Sequence, residues 1–235
     1  ALFPWIETRA DDPVIRPALF RSRYIVIASG LAIGAGVTEA AVVFVPALLV
    51  GAFAVTASTA SFMLLPIVAA MALGSPIAGR ILDRRGSRVV VVAATALIAA
   101  GFAVVAVFPA RLDLFYTAGL MIGLGMAGLL GSSLRYVMLN EAPTDDRGAA
   151  QGVLTVFISV GQLAGSAVIG AIIASRGGDV ASYAAAFGIV AVGLTLLAVA
   201  ALGLRSRDDE RRRMGRDGSL DPAGDAPTST PPPRA

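Results

Sequence analysis

The feature that most constrains this chain is one long apolar run near its beginning. From Tyr24 to Gly79 the only charged residue is Glu39. A single helix of that length would measure about 84 Å, whereas the hydrocarbon core of a bilayer is about 30 Å thick. The run must therefore fold back on itself, and the sequence predicts two membrane-spanning helices joined by a turn near residues 51–59.

The same length criterion predicts six spans in the whole chain. Each is a mostly apolar run of about 20 residues, the length that crosses a bilayer, and Pro66 is expected to kink the second. Composition agrees, because 56% of the 235 residues are hydrophobic and the mean hydropathy is +0.78. The predicted spans are residues 24–49, 57–79, 89–108, 114–139, 149–175 and 182–204, between a cytoplasmic linker at 1–23 and a disordered cytoplasmic tail at 205–235.

The arginines predict how these spans are oriented. Loops on the side of the N-terminus are rich in arginine, whereas the opposite loops hold only Arg111 and Arg176. Cytoplasmic loops are the ones that carry such an excess of positive charge. We therefore expect an integral protein of the cell membrane, with both ends of this segment in the cytoplasm.

Several classes of function are excluded by the residues that the sequence lacks. It contains no cysteine and no histidine, which excludes disulfides and thiolate or imidazole metal sites. It has no phosphate-binding GxxxxGK[ST] motif and no pair of membrane carboxylates close in sequence. The net charge of +3 lies in loops and the tail, so nucleic-acid binding is not expected. The sequence therefore predicts neither an enzyme nor a cofactor or metal protein.

The stretch GRILDRRGSR, residues 79–88, joins the second and third predicted spans and has an ordered pattern. Topological anchoring requires basic residues in any order and requires no acid, so it does not explain that order. The spacing GxxxDRxGxR, in this position, resembles the signature loop of the major facilitator superfamily. The residues that match it are Gly79, Asp83, Arg84, Gly86 and Arg88.

This resemblance implies both a fold and a role for the loop. The fold would be an all-α membrane protein, with six transmembrane helices forming one half of a major facilitator superfamily fold. The glycines would allow a close helix approach and a tight turn. Asp83 would meet the positive end of the fifth helix and a basic residue, and so latch the cytoplasmic side.

Two further segments narrow the resemblance to the drug:proton antiporter branch with fourteen spans. Residues 7–26, ETRADDPVIRPALFRSRYIV, are similar to the linker before the C-terminal six helices of that branch. Residues 140–165, NEAPTDDRGAAQGVLTVFISVGQLAG, are similar to the join between its tenth and eleventh conserved helices. The likeness implies the C-terminal half of a transporter that exports drugs or other amphipathic small molecules by proton-coupled alternating access. The implied partners are a missing N-terminal half of six to eight helices, a small-molecule substrate, protons and membrane lipid.

Glu39 is the candidate for proton coupling. It lies about 22 Å along the first predicted span, past the middle of the membrane. Acids at such depth are costly and usually functional, since a carboxyl group there can take up and release protons. The equal alternative is a structural acid that is neutral, hydrogen-bonded to a neighbouring helix, or exposed to water in an extracytoplasmic cavity.

Other polar residues within the spans are candidates for a gate or a cavity. Arg135 lies near the cytoplasmic end of the fourth span, where it either snorkels to the interface or pairs with Asp83 or Glu141 in a gate. Gln162 is the strongest cavity candidate, because a lipid-facing amide is costly. Hydrogen bonding between helices is the alternative for this polar set. The cavity candidates are Ser132, Ser133, Ser159 and Gln162.

Small residues recur every four positions in three of the spans. Such stripes are the usual contact surfaces of membrane helices, so we interpret them as tight packing rather than as substrate contacts. They comprise Gly119, Gly123, Ala127 and Gly131 in the fourth span, Gly161 and Gly165 in the fifth, and Gly30, Gly34 and Thr38 in the first.

Two other functions stay open on the sequence alone. One is a stand-alone six-helix membrane scaffold or channel-like subunit, which would need no partner half. The other is a metabolite or sugar carrier of the same superfamily, although such a carrier would be expected to show more hydrogen-bonding groups in its cavity.

Overall fold

The computed structural model describes residues 23–141 and 147–204. Within them the regular structure is helical, no strand is present, and six segments are long and apolar enough to cross a membrane. The predicted all-α fold with six spans is thereby confirmed. The segments, here called spans 1 to 6, are Arg23–Phe53, Ala57–Arg85, Ser87–Val107, Leu112–Leu139, Arg147–Ser175 and Val180–Ala201. Most of the predicted linker and the whole predicted tail lie outside the described residues.

The predicted end of span 2 at residue 79 is wrong. The helix Leu65–Arg85 continues through most of the arginine-rich motif, because arginine is a good helix former and nothing before Gly86 interrupts the chain. Gly86 has a φ of 83°, a left-handed value that favours glycine, and span 3 begins at the next residue, Ser87. The connection expected over residues 79–88 is therefore one residue long.

Span 2 begins in two pieces. A short helix, Ala57–Phe62, is capped by Thr56, whose Oγ1 accepts a hydrogen bond from the Thr59 amide at 3.2 Å. After a turn, the helix Leu65–Arg85 starts with Pro66 in its first turn. Proline is tolerated there because that N–H has no partner within the helix. Pro66 therefore begins a helix, rather than kinking a continuous one as predicted.

Span 4 is interrupted near its end, which the sequence does not predict. An α-helix over Leu112–Gly128 is followed by a π-helical turn, Leu129–Ser133, and a short α-helix, Leu134–Glu141. Within the turn Gly131 has a non-helical ψ of −125°. A Cβ on Gly131 would meet no atom within 4 Å, so this glycine is not part of the expected packing stripe.

The packing of the spans repeats after three. Span 1 packs on span 5, and span 4 packs on span 2. Span 3 packs on span 4, and span 6 packs on span 1. Spans 3 and 6 pack on each other, with the rings of Phe102 and Phe187 5.5 Å apart. Exchanging spans 1–3 for spans 4–6 leaves this pattern of contacts unchanged, so the two sets of three spans are structural repeats. Because successive spans alternate in direction, the second repeat is inverted relative to the first.

Candidate functional site

The helices of spans 1 and 5 cross with their backbones in direct contact. A Cβ on Gly36 would overlap the carbonyl oxygen of Ile158, and a Cβ on Gly161 would overlap that of Ile33. Each helix thus presents a glycine to a carbonyl of the other, an approach that only small residues allow. The expected packing role of Gly161 is found here. The packing role of Gly36 is not predicted from the sequence, because Gly36 lies outside the four-residue spacing of the stripe formed by Gly30, Gly34 and Thr38.

The helices of spans 2 and 4 cross in the same way. A Cβ on Gly123 would overlap the carbonyl oxygen of Ile67, as a Cβ on Gly36 would overlap that of Ile158. A Cβ on Gly119 would lie 2.9 Å from the Ile67 side chain, so the stripe predicted on span 4 packs at this crossing. We call the two contacts crossing 1–5 and crossing 2–4, and Gly36 and Gly123 are their equivalent glycines.

Glu39 lies one helical turn beyond Gly36, on an uncovered face of span 1. Its side chain is half-buried, and within the described residues no hydrogen bond or ion pair joins it to another group. Val43, Ala47 and Val50 continue the same face at helical spacing and are exposed. Val43, the next residue on this face, is 70% exposed. Glu39 is thus part of a surface that residues 23–141 and 147–204 leave open.

Span 5 carries a row of polar side chains beside crossing 1–5. They fall within about a quarter of the helix circumference, and the rest of the exposed surface of the span is mainly apolar. Ser159 and Gln162, two of the residues predicted to line a cavity, are exposed. The Ser159 hydroxyl donates to the Thr155 carbonyl at 3.0 Å. This polar stripe comprises Gln151, Thr155, Ser159, Gln162 and Ser166.

The signature residues lie at the far end of span 2. Asp83 and Arg84 are exposed, and Gly86 makes the tight turn that the motif predicts. Gly79 does not provide the expected close helix approach, because a Cβ there would meet no atom within 4 Å. The expected contact of Asp83 with the start of the fifth helix falls partly on residues 142–146, outside the described residues.

Arg135 is exposed on the short helix that ends span 4. Its main-chain carbonyl accepts a hydrogen bond from the Gln151 side chain of span 5 at 3.3 Å. Among the described residues no ion pair joins Arg135 to Asp83, and the side chain of its other predicted partner, Glu141, lies outside them.

The two serines of the π-helical turn were expected to line a cavity. Ser133 is instead fully buried, and its Oγ has no hydrogen-bond partner within the described residues. The Ser132 side chain lies outside what the structure describes.

Comparisons with known proteins agree with this architecture. The family model of the Major Facilitator Superfamily matches residues 26–230. The multidrug resistance protein Stp of Mycobacterium tuberculosis is 29% identical over 184 residues, which are 74% of this chain and 33% of that protein. The tetracenomycin C resistance and export protein of Streptomyces glaucescens is 28% identical over 179 residues, again 74% and 33% of the two chains. An uncharacterized MFS-type transporter of Bacillus subtilis, YfiU, is 28% identical over 156 residues, 66% of this chain and 30% of the relative. The chain thus spans about a third of the length of these curated relatives.

Proposed function

Because this chain belongs to the Major Facilitator Superfamily, whose members are transporters and not enzymes, we propose that it is the C-terminal half of a proton-coupled exporter of drugs or other amphipathic small molecules. The names of two relatives, a multidrug resistance protein and a tetracenomycin C resistance and export protein, support this class of substrate. The partner would be an N-terminal half of six to eight helices. The largely exposed spans 2 and 5 are the surfaces that such a half would cover.

One observation supports alternating access: equivalent residues on spans 1 and 4 differ in how far they are exposed. Counting residues from Gly36 in span 1 and from Gly123 in span 4 pairs Val50 with Val137, and the π-helical turn Leu129–Ser133 lies between Gly123 and Val137. Val50 is 38% exposed, whereas Val137 is 5% exposed. A symmetric pair of repeats would give both valines the same environment. The repeats therefore differ in conformation, and exchanging their conformations would open one end of the bundle while closing the other.

The closed end is the one that we assign to the cytoplasm from the arginine distribution. There the short helix Leu134–Glu141 packs against spans 1 and 5, and the hydrogen bond from Gln151 to the Arg135 carbonyl joins it to span 5. The opposite end leaves the face of span 1 that contains Glu39 uncovered. In this arrangement Glu39 would exchange protons with the extracytoplasmic side.

Glu39 is the residue that we propose to couple transport to protons. Among the described spans it is the only acid that lies more than one turn from the end of its span. Spans 5 and 6, which pack on span 1, contribute no charged residue between Gly148 and Ala201 other than Arg176 and Asp179 in their connecting loop. Within spans 5 and 6, therefore, no charged side chain competes with Glu39 for a proton.

The test uses the full-length protein in liposomes, with a fluorescent lipophilic dye as substrate and an imposed pH gradient. We expect dye uptake that requires the gradient and stops when a protonophore is added. Glu39→Gln should abolish this uptake at unchanged protein abundance, whereas Met126→Leu, at the equivalent position of span 4, should preserve it. Gradient-driven uptake that is unaffected by Glu39→Gln would contradict the assignment of Glu39. Absence of any gradient-driven uptake in the wild type would contradict proton-coupled export.

A further inference from the structure

We propose that Gln162 is the positioning residue for Glu39: no hydrogen bond joins the two side chains in the conformation described here, and during transport the Gln162 amide hydrogen-bonds to the Glu39 carboxyl group beside crossing 1–5. The proposal rests on the proposed function, in which Glu39 takes up and releases the transported proton. It adds a second residue, on a different span, whose role is to hold that carboxyl group in place.

The first support is the depth of the two residues in the bundle. A Cβ on Gly36 would lie 2.6 Å from the backbone nitrogen of Gln162, so these two residues are at the same level. Glu39 is one turn, about 4.5 Å, further along span 1. Helical side chains lean toward the N-terminus of their helix. Spans 1 and 5 run parallel, so both side chains lean the same way and stay about one turn apart in depth, a separation that two long side chains can bridge.

The second support is the direction in which the two side chains leave the crossing. Spans 1 and 5 are both odd-numbered and run parallel. The two helices are viewed from their N-termini. On span 1, Glu39 lies counter-clockwise from the residues that contact span 5. On span 5, Gln162 lies clockwise from the residues that contact span 1. On two facing parallel helices, opposite rotations lead to the same side. Both side chains are therefore on one side of the crossing, and Gln162 is exposed there.

The third support is the equivalent crossing within the same chain. At crossing 2–4 the residue one turn beyond Gly123 is Met126, and the residue four positions after Ile67 is Met71. Glu39 and Gln162 occupy these places at crossing 1–5. At crossing 2–4 the backbone contact thus forms beside two methionines. The same contact at crossing 1–5 therefore does not require the carboxyl group of Glu39 or the amide of Gln162.

The chemistry of an amide suits a carboxyl group that changes its protonation state. The NH₂ group of Gln162 can donate to an ionised carboxylate, and its carbonyl oxygen can accept from a protonated carboxyl group. One neutral partner therefore serves both states without adding a charge to the membrane interior. A partner matters here because an unpaired polar group in a low-dielectric environment is costly.

Other groups do not compete for this role. The charged residues on the elements that pack against span 1 lie near the ends of those elements, and they are Arg147 of span 5 and Arg135 of the short helix Leu134–Glu141, with Glu141 at its end. Span 6 has no charged residue. The neighbouring hydroxyl of Ser159 already donates to the Thr155 carbonyl at 3.0 Å. Ser166, the next residue of the polar stripe, offers one hydroxyl, whereas Gln162 offers two donors and an acceptor on a longer side chain.

The test is infrared difference spectroscopy of the full-length protein between low and high pH. The carbonyl stretch of the protonated Glu39 is identified as the band that disappears in Glu39→Gln. In Gln162→Met this band should move to higher wavenumber, because the carboxyl group loses a hydrogen bond. Met71→Leu, at the equivalent place of crossing 2–4, should leave the band unchanged. The Gln162→Met variant is expected to fold, because the equivalent crossing already holds a methionine there.

A second readout is the pH dependence of dye transport in liposomes. We expect Gln162→Met to move its midpoint by about one pH unit, and Gln162→Asn, which retains an amide, to restore most of the wild-type midpoint. A Glu39 band and a pH midpoint that are both unchanged in Gln162→Met would overturn the pairing, even where Glu39→Gln abolishes transport. A Glu39-dependent band with no transport in any variant would instead contradict the proposed function and leave the spectroscopic pairing standing.

Discussion

Crossing 1–5 and crossing 2–4 have the same backbone contact and different side chains beside it. In both, a glycine faces the carbonyl oxygen of an isoleucine on the partner helix. Beside this contact the first has Glu39 and Gln162, and the second has Met126 and Met71. Close helix approach therefore accounts for the glycines at both crossings. It does not account for Glu39 and Gln162, which require another explanation.

The equivalent spans are also perturbed at equivalent places. About two to three turns beyond the crossing glycine, span 1 contains Pro46 and span 4 contains the π-helical turn Leu129–Ser133. Proline and π-helical turns are two of the usual causes of a bend in a helix. The ends of spans 1 and 4 are thus the parts of the two repeats best able to differ in conformation, as their unequal burial indicates.

Moving the acid from one repeat to the other should have the largest effect. Met126 is 7% exposed, so Met126→Glu would place a carboxyl group in a buried apolar position with no prepared partner. We expect it to destabilise the protein by about 3 kcal/mol or more. The reverse change, Glu39→Met, should leave thermal stability in detergent near the wild-type value while removing transport. Equal destabilisation by the two changes would contradict the difference between the crossings.

Adding one methyl group at each crossing glycine should have a smaller effect that is equal in the two repeats. Gly36→Ala and Gly123→Ala each direct a Cβ into a carbonyl oxygen, and we expect each to cost about 1–3 kcal/mol. Gly152→Ala is the matched control, because a Cβ there meets no atom within 4 Å. Thermal unfolding in detergent measures all three. A loss for Gly152→Ala as large as for the crossing variants would show that the contact is not the cause.

The starts of spans 3 and 6 provide the subtlest comparison of the repeats. Span 3 follows Gly86, which supplies no side-chain cap, whereas Asp179 caps span 6. The Asp179 carboxylate accepts hydrogen bonds from the Ser182 hydroxyl at 2.6 Å and the Ser182 amide at 2.9 Å. These bonds, the hydroxyl bond foremost, lower the pKa of Asp179 below its usual value.

The lowered pKa of Asp179 gives the sign of its pH dependence. Folding favours the ionised form, so this stabilisation is complete above the unfolded pKa of about 3.9 and is lost as pH falls through the lower folded value. We expect Asp179→Ala to lower the melting temperature slightly at neutral pH, with the difference from wild type closing at low pH. Asp179→Asn, which keeps a cap without a charge, should lose the pH dependence alone. A difference from wild type that persists unchanged to low pH would exclude the charge as its source.

The sequence predicts the six spans well because membrane crossing depends on apolar length, which is a local property. It fails at the end of span 2, where arginines suggest a loop although only Gly86 requires the helix to stop. It also fails at Leu129–Ser133, because the residues of that turn have no composition that distinguishes them from a regular helix. Such an interruption depends on how the end of span 4 packs against spans 1 and 5.

The candidate site is predictable only in part, for a related physical reason. Glu39 and Gln162 stand out individually, because an acid and an amide are costly within a membrane. That Glu39 and Gln162 lie on the same side of crossing 1–5 depends on the close contact at Gly36. This contact becomes evident only when span 5 is packed against span 1. The comparison with Met126 and Met71 requires the inverted repeat, which no local pattern in the sequence reveals.

The most direct test of the transport account is the accessibility of Val50 and Val137 to a water-soluble maleimide. This chain contains no cysteine, so Val50→Cys and Val137→Cys each add one thiol to it. Without substrate, we predict labelling at position 50 and protection at position 137. Under conditions that drive transport, labelling at position 137 should rise as labelling at position 50 falls. Labelling that does not change at either position, or that changes in the same direction at both, would contradict the exchange of conformations between the two repeats.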